Sequence, residues 1–283
     1  MAKRIDGKAI AEELRGELRR EIEDMKRRGV TPGLAVVLVG DDPASQTYAH
    51  SKRTACEKLG ICSEEHFLPG ETTQEQVIAL IEKLNADDRI DGILVEMPMP
   101  EHIDANAVLT ALSPEKDVDC CSPANIGRVF MSDYEFAPCT PSGCMELLDR
   151  SGVELRGKNC VVLGRSNFVG KPMAMLLMER HGTVTICHSR TVGLPEITKR
   201  ADVLVSAIGK PRFVTADMVK EGAVVIDIGT NRDENGKLCG DVDFDAVEPK
   251  ASLITPVPGG VGPMTVTILL RNTVASARRR LPK

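Results

Sequence analysis

Strand-like apolar runs and helix-like amphipathic segments alternate along almost the whole chain, which restricts the fold to α/β architecture with largely parallel sheets. Leu34–Val39 is an unbroken apolar run, the pattern of a strand covered on both faces. Before it, Ile10, Leu14, Leu18, Ile22 and Met25 recur every three or four residues, predicting an amphipathic helix over 8–28 that Gly29 stops. Asp42-Pro43 reads as an N-cap followed by a first-turn proline, and Gly60 as the end of that helix. Thr73 and Gln76 are spaced as a capping box, with Val77, Leu80, Ile81 and Leu84 as the buried stripe. Ile90–Val95 is the next strand, and Pro98 and Pro100 end it.

Residues 113–144, rich in Pro, Ser, Cys and Gly, break the pattern, and a second alternating block begins at Gly157. Its strand candidates are Cys160–Leu163, Val184–Ile186, Val203–Ala207, Val224–Ile228 and Leu253–Thr255. A Pro- and Gly-rich loop over 256–263 leads into a last helix from Thr265 to about Arg280. The expected organisation is two α/β domains. One comprises residues 1–140, with the C-terminal helix over 264–283 packing back on it; the other, 141–263, is Rossmann-like and dinucleotide-binding.

Composition removes several partners. With 36 Lys plus Arg against 41 Asp plus Glu, no Trp, two Tyr and six Phe, the chain has neither the charge nor the stacking aromatics for nucleic acid. Nine cysteines without a C-x-x-C pair, and histidines without ligand spacing, suit neither a disulfide framework nor a metal site. The charged N-terminus is no signal peptide, and the apolar runs are too short to span a bilayer. A cytoplasmic, reduced protein with no membrane or metal partner is expected.

Strand Cys160–Leu163 runs straight into Gly164-Arg165-Ser166-Asn167-Phe168-Val169-Gly170, a glycine-bearing strand-to-helix turn whose free N–H groups favour a phosphate. The spacing is G-x5-G, so a glycine turn without a ligand is the competing reading. The next strand ends in Cys187-His188-Ser189-Arg190, without the carboxylate that would accept ribose hydroxyls. Ser189 and Arg190, with Arg165, suit a 2′-phosphate, so NADP is preferred over NAD; Arg190 as a solvated surface charge is the alternative. In the helix from Pro43, Lys52 falls on one stripe with Tyr48, Ala55, Cys56 and Leu59. Its stem could snorkel to solvent, or it could form an acid/base site with Tyr48 above the carboxyl edge of the sheet. Glu96 stands at that edge, and Asp117 and Asp119 follow in a loop where solvated carboxylates are the default reading. These residues give an NADP-linked oxidoreductase centred on a lysine, with no substrate.

From about Thr31 to Thr273 the chain resembles the bifunctional methylenetetrahydrofolate dehydrogenase/methenyltetrahydrofolate cyclohydrolase family. The matching stretches are Tyr48-Ala-His-Ser-Lys52, Pro98-Met-Pro100, Lys116-Asp-Val-Asp119, 138–143 and Gly164-Arg-Ser-x-x-Val-Gly170, followed by Cys187-His-Ser189, Gly240-Asp-Val-Asp243 and 255–265. The resemblance implies oxidation of 5,10-methylenetetrahydrofolate by NADP and hydrolysis of the methenyl product to 10-formyltetrahydrofolate, within one-carbon metabolism and purine biosynthesis. It implies that Lys52 acts at the reacting folate nitrogen and in hydrolysis, that Tyr48 stacks along the folate, and that Asp119 holds the pterin. Gly164, Arg165, Ser166, Ser189 and Thr230 would contact the cofactor, Pro258, Gly259 and Gly260 would close over the folate site, and the protein would be a homodimer. Residues 1–140 thereby become the folate-binding catalytic domain. Two departures from the family pattern stand out: Glu96 replaces a glutamine that partners the lysine, and Cys120-Cys121 replace a glycine and an aromatic residue. A carboxylate beside Lys52 favours the ammonium and disfavours proton acceptance from water. A dehydrogenase with a weak cyclohydrolase is therefore a second reading, and a non-catalytic folate- or NADP-binding regulator a third.

Overall fold

The computed structural model describes residues 2–40 and 43–282, of which 43–49 and 51 are described by backbone alone. The first part of the chain runs through β1 (Lys3–Arg4), α1 (Gly7–Arg27), β2 (Gly33–Val39), α2 (Pro43–Leu59) and β3 (Cys62–Leu68). It continues with α3 (Gln74–Ala86), β4 (Gly92–Val95), α4 (Ala105–Thr110) and α5 (Pro123–Phe130). After α6 (Cys139–Arg150) come β5 (Asn159–Leu163), α7 (Gly170–Glu179), β6 (Thr183–Cys187), α8 (Leu194–Thr198), β7 (Val203–Ser206) and β8 (Val224–Asp227). The short β9 (Asn231–Arg232), β10 (Leu238–Cys239), α9 (Phe244–Val247) and β11 (Leu253–Ile254) precede the long α10 (Val261–Ala277).

Two compact units result, one comprising 1–12 and 138–265, the other 13–137 and 266–283. The second is built on a parallel three-stranded sheet in the order β3-β2-β4. Every residue of β2 is buried, as its apolar run requires of a central strand flanked on both sides. Thr73 and Gln76 form the reciprocal capping box, and Val77, Ile81 and Leu84 are buried while Leu80 is only half-buried. The C-terminal part of α10 belongs to this unit: Asn272 Nδ2 donates to Val118 O at 2.8 Å and Ser276 Oγ to Glu115 O at 2.9 Å. The last helix thus does pack on the first domain's residues.

The other unit carries a six-stranded sheet in the order β1-β11-β8-β7-β5-β6, with parallel pairings throughout. Its core gathers Val161, Leu163, Leu204, Val225 and Ile254 from the strands with Val214, Val219 and Val247 from the segments around them. The N-terminal β1 joins this sheet beside β11, so the first residues belong to this unit and not to the domain expected over 1–140. The last helix begins at Val261 and not Thr265, because a proline in the first helical turn, here Pro263, displaces no intrahelical donor.

Candidate active site

The parallel strands of the three-stranded sheet bring their carboxyl ends to one edge, and the chemistry-bearing side chains gather there. Glu96 extends β4 by one residue, its N–H donating to Val37 O at 2.9 Å. Lys52, on α2, reaches the same edge and places Nζ 2.5 Å from Glu96 Oε1. The two side chains are only 12% and 11% exposed, so the lysine does not snorkel to solvent. Below it on the stripe, Cys56 and Leu59 are buried, which anchors the helix face that aims Lys52 inward. The side chain of Tyr48, and Asp42 as N-cap, lie outside the described residues.

Residues 116–119 run beside β4, with Ile93 N donating to Lys116 O at 2.7 Å. Asp117 is not a solvated loop carboxylate: it is buried and accepts from Cys121 N, Ser122 N and Asn125 Nδ2 at 2.9–3.0 Å. Its three bonds shape the turn that carries Asp119. Asp119 itself is half-buried, and Cys121 Sγ lies 3.4 Å from its Oδ2. The peptide Met97-Pro98, which closes the β4 edge, is cis, as is Val257-Pro258. Pro258, Gly259 and Gly260 fall in the other unit, where Lys8 N donates to Gly259 O at 3.0 Å.

In the six-stranded unit, β5 passes directly into the glycine turn. Gly164 adopts φ +114°, and its N–H donates to Cys187 O at 2.8 Å. A Cβ there would lie 2.2 Å from Ala207 O, so only glycine lets the two strand ends approach this closely. Ser166 Oγ accepts from Val169 N and Gly170 N at 3.2 Å and so braces the turn that leads into α7. A cavity of about 250 Å³ opens beside the turn, and among its lining are Arg165, His188, Ser189, Ile208, Lys210 and Phe213. Its floor is apolar, its rim carries two cations, a hydroxyl and an imidazole, and the turn supplies a helix N-terminus. That combination fits an adenine nucleotide bearing a 2′-phosphate.

Gly164, Arg165 and Ser189 line this cavity together; Ser166, Arg190 and Thr230 are exposed beside it and not part of its wall. Lys210, 5.6 Å over the Phe213 ring, and His188 belong to the wall but were not singled out in the sequence. The signal for Lys210 was weak, a Gly-Lys-Pro turn after β7. Among the described residues no cluster of three His, Cys, Asp or Glu side chains could hold a metal ion, and no helix is long and apolar enough to cross a membrane.

Comparison with known proteins converges on the same assignment. Residues 5–119 match the catalytic domain, and residues 138–281 the NAD(P)-binding domain, of tetrahydrofolate dehydrogenase/cyclohydrolase. The bifunctional protein FolD of Moorella thermoacetica is 56% identical over 275 residues, spanning 97% of this chain and 98% of that one. The crystal structure of the bifunctional FolD dehydrogenase/cyclohydrolase of Campylobacter jejuni superimposes with a TM-score of 0.97 at 47% identity, covering 99% of this chain and 100% of that one. The Trypanosoma brucei enzyme, solved with NADP cofactor and an inhibitor, gives 0.95 at 41% identity over 100% and 99% of the two chains.

Proposed function

Because this chain belongs to the tetrahydrofolate dehydrogenase/cyclohydrolase family, we propose that it oxidises 5,10-methylenetetrahydrofolate with NADP and hydrolyses the resulting 5,10-methenyl cation to 10-formyltetrahydrofolate. The observation that carries the reading is the shielded Lys52–Glu96 pair at the carboxyl edge of the three-stranded sheet, where a parallel sheet presents its ligand. NADP, when bound, supplies the nicotinamide that takes up the hydride. Arg165 and Ser189 hold the 2′-phosphate, the Gly164 turn and Ser166 the remaining phosphates, and Arg190 and Thr230 border them. Asp119 accepts hydrogen bonds from the pterin, and Tyr48 stacks along it.

Lys52 directs its amino group at the reacting folate nitrogen. In the hydrolytic step, water adds to the methenyl carbon and releases one proton; the C–N5 bond of the five-membered ring then breaks as the remaining hydroxyl proton passes to N5, which leaves the formyl group on N10. Lys52 and Glu96 together manage that proton. Glu96 also stabilises the positive charge that develops as the hydride departs. The active species is a homodimer formed through the nucleotide-binding unit, and it works in the cytoplasm, where its product feeds purine biosynthesis.

One coupled absorbance assay tests the reading. Methylenetetrahydrofolate and NADP should yield NADPH, and the methenyl chromophore should decay faster than in enzyme-free buffer. An NADPH signal with no acceleration of the decay would reduce the protein to a dehydrogenase; neither signal would leave it a binder.

A further inference from the structure

The buried carboxylate of Asp241 lies outside everything assigned above. It follows β10, is completely shielded from solvent, and accepts four hydrogen bonds. Oδ1 takes the backbone N–H of Lys210 and the Nδ2 of Asn231, both at 2.9 Å. Oδ2 takes the backbone N–H of Ile208 at 2.8 Å and the hydroxyl of Ser206 at 3.1 Å. Ser206 ends β7, Ile208 and Lys210 line the nucleotide cavity, and Asn231 directly follows Thr230. A single side chain therefore ties together the loops that leave the carboxyl ends of the neighbouring strands β7 and β8.

Asp241 is held in turn by Asp227, whose Oδ1 accepts the N–H of Asp241 at 3.0 Å and of Gly229 at 2.9 Å, while Oδ2 accepts that of Val242 at 2.9 Å. The residue between the two carboxylates has to be glycine: a Cβ on Gly240 would lie 1.9 Å from Asp227 Oδ2. A buried carboxylate is costly to desolvate and is retained only where its donors are well placed. Here two of the four donors are backbone N–H groups of cavity-lining residues. Without their acceptor they would turn to water or to other acceptors, and the cavity wall would move with them.

We propose that Asp241 is a positioning residue for NADP, fixing the Ile208–Lys210 and Thr230–Asn231 segments that border the nucleotide. The proposal rests on reading this cavity as the cofactor site. The test compares the full-length parent with Asp241→Asn, Asn231→Ala and Asp202→Asn, measuring the NADP dissociation constant by equilibrium titration and the melting temperature without ligand. Asp202 is a comparator at the opposite end of β7, where it accepts from Asn159 N at 2.9 Å and pairs with Lys220. Asp241→Asn should weaken NADP about tenfold, the size of one lost charge-assisted bond, and Asn231→Ala about threefold. In both, kcat at saturating NADP and the KM for the folate should stay near the parent's, while Asp202→Asn should melt earlier with its NADP affinity unchanged. Parent-like NADP affinity in folded Asp241→Asn overturns the proposal. Should that variant not fold, unchanged affinity in Asn231→Ala overturns it equally. A parent that binds no NADP refutes the cofactor assignment instead, a result that the variants cannot produce.

Discussion

An ammonium and a carboxylate shielded to about a tenth of their free exposure interact through less water than a surface pair, and each depends on the other to remain there. Lys52→Met keeps the stem but strands the Glu96 carboxylate, and should cost about 1–3 kcal/mol of stability along with hydrolysis of the methenyl compound. Lys52→Met/Glu96→Gln should recover most of the stability in urea unfolding and none of the hydrolysis. A double variant that hydrolyses at the parent rate would make Lys52 a packing residue. Glu96→Gln alone leaves the lysine a neutral partner. It should transfer hydride more slowly than the parent, because no carboxylate then faces the cationic product, and its hydrolysis should change with it if the pair handles the proton. Both rates measured across pH decide this, and an abolished cyclohydrolase would assign the base to Glu96 itself. On the nucleotide side, Arg165→Ala should weaken NADP by about 1.5–3 kcal/mol and leave NAD nearly untouched; equal losses for the two would remove Arg165 from the 2′-phosphate.

At the scale of elements, the loops that follow β7 and β8 rest on two buried carboxylates, and one of them gives the fold a pH signature. Burial pushes the Asp227 carboxyl up to about 7, against the pull of its three backbone donors; neighbouring Asp241 adds to the rise. Arg4, Arg212, Lys237, Asp243 and Asp245 are the other charged groups lining the cavity beside it. Between about pH 4, where the unfolded chain releases this proton, and about pH 7, the folded chain retains it. The folded state then binds more protons, so this group's contribution declines as pH rises, by at most about 1.4 kcal/mol per unit, and levels off above 7. Asp227→Asn, although less stable overall, lacks that slope, and its deficit against the parent in urea unfolding should narrow from pH 5 to pH 7. A constant deficit would mean that Asp227 stays ionised. Asp241 was not legible as buried, since Gly240-Asp-Val-Asp243 reads like any polar loop until β7 and β8 are paired, whereas Asp227 falls within the strand expected over Val224–Ile228. Strand β3 escaped for a related reason: Cys-Ser-Glu-Glu-His-Phe-Leu has neither an apolar run nor clean alternation, because an edge strand needs only one neighbour and tolerates charge. Helix α5 lies in the stretch read as a break, although Ser122 as N-cap and Pro123 in the first turn were visible there. By contrast β2, the capping box and the Gly164 turn were plain, since each follows from local chemistry alone.

For the molecule as a whole, the two ends of the chain do not close the units in which a simple division at residue 140 would place them. The first strand completes the nucleotide-binding sheet, whereas the last turns of α10 and the 3₁₀ turn after it complete the other unit. Among the ion pairs of that terminal turn, the one on the most buried carboxylate is made by Arg280, whose Nε and Nη2 donate to the two oxygens of Asp91 at 2.7 and 2.6 Å, with a further bond from Nη2 to Thr31 O. Asp91 is 4% exposed and also accepts from Gly33 N, so it pins the start of β2 to the residues just before β4. Burial raises the Asp91 carboxyl above the usual range, and the Arg280 guanidinium and the Gly33 N–H pull it back. Arg280→Ala removes the larger of those pulls and leaves a buried carboxylate without its cation. Discounted for the third of the guanidinium that solvent already reaches, the loss should be about 1–3 kcal/mol at pH 7.5. Because the variant's Asp91 takes up a proton more readily when folded, the loss should shrink as pH falls toward 5. Urea unfolding of parent and variant at the two pH values measures both effects. An equal loss at each pH would assign Arg280 a packing role only, and no loss at either would show that the chain end is dispensable to the β2–β4 sheet.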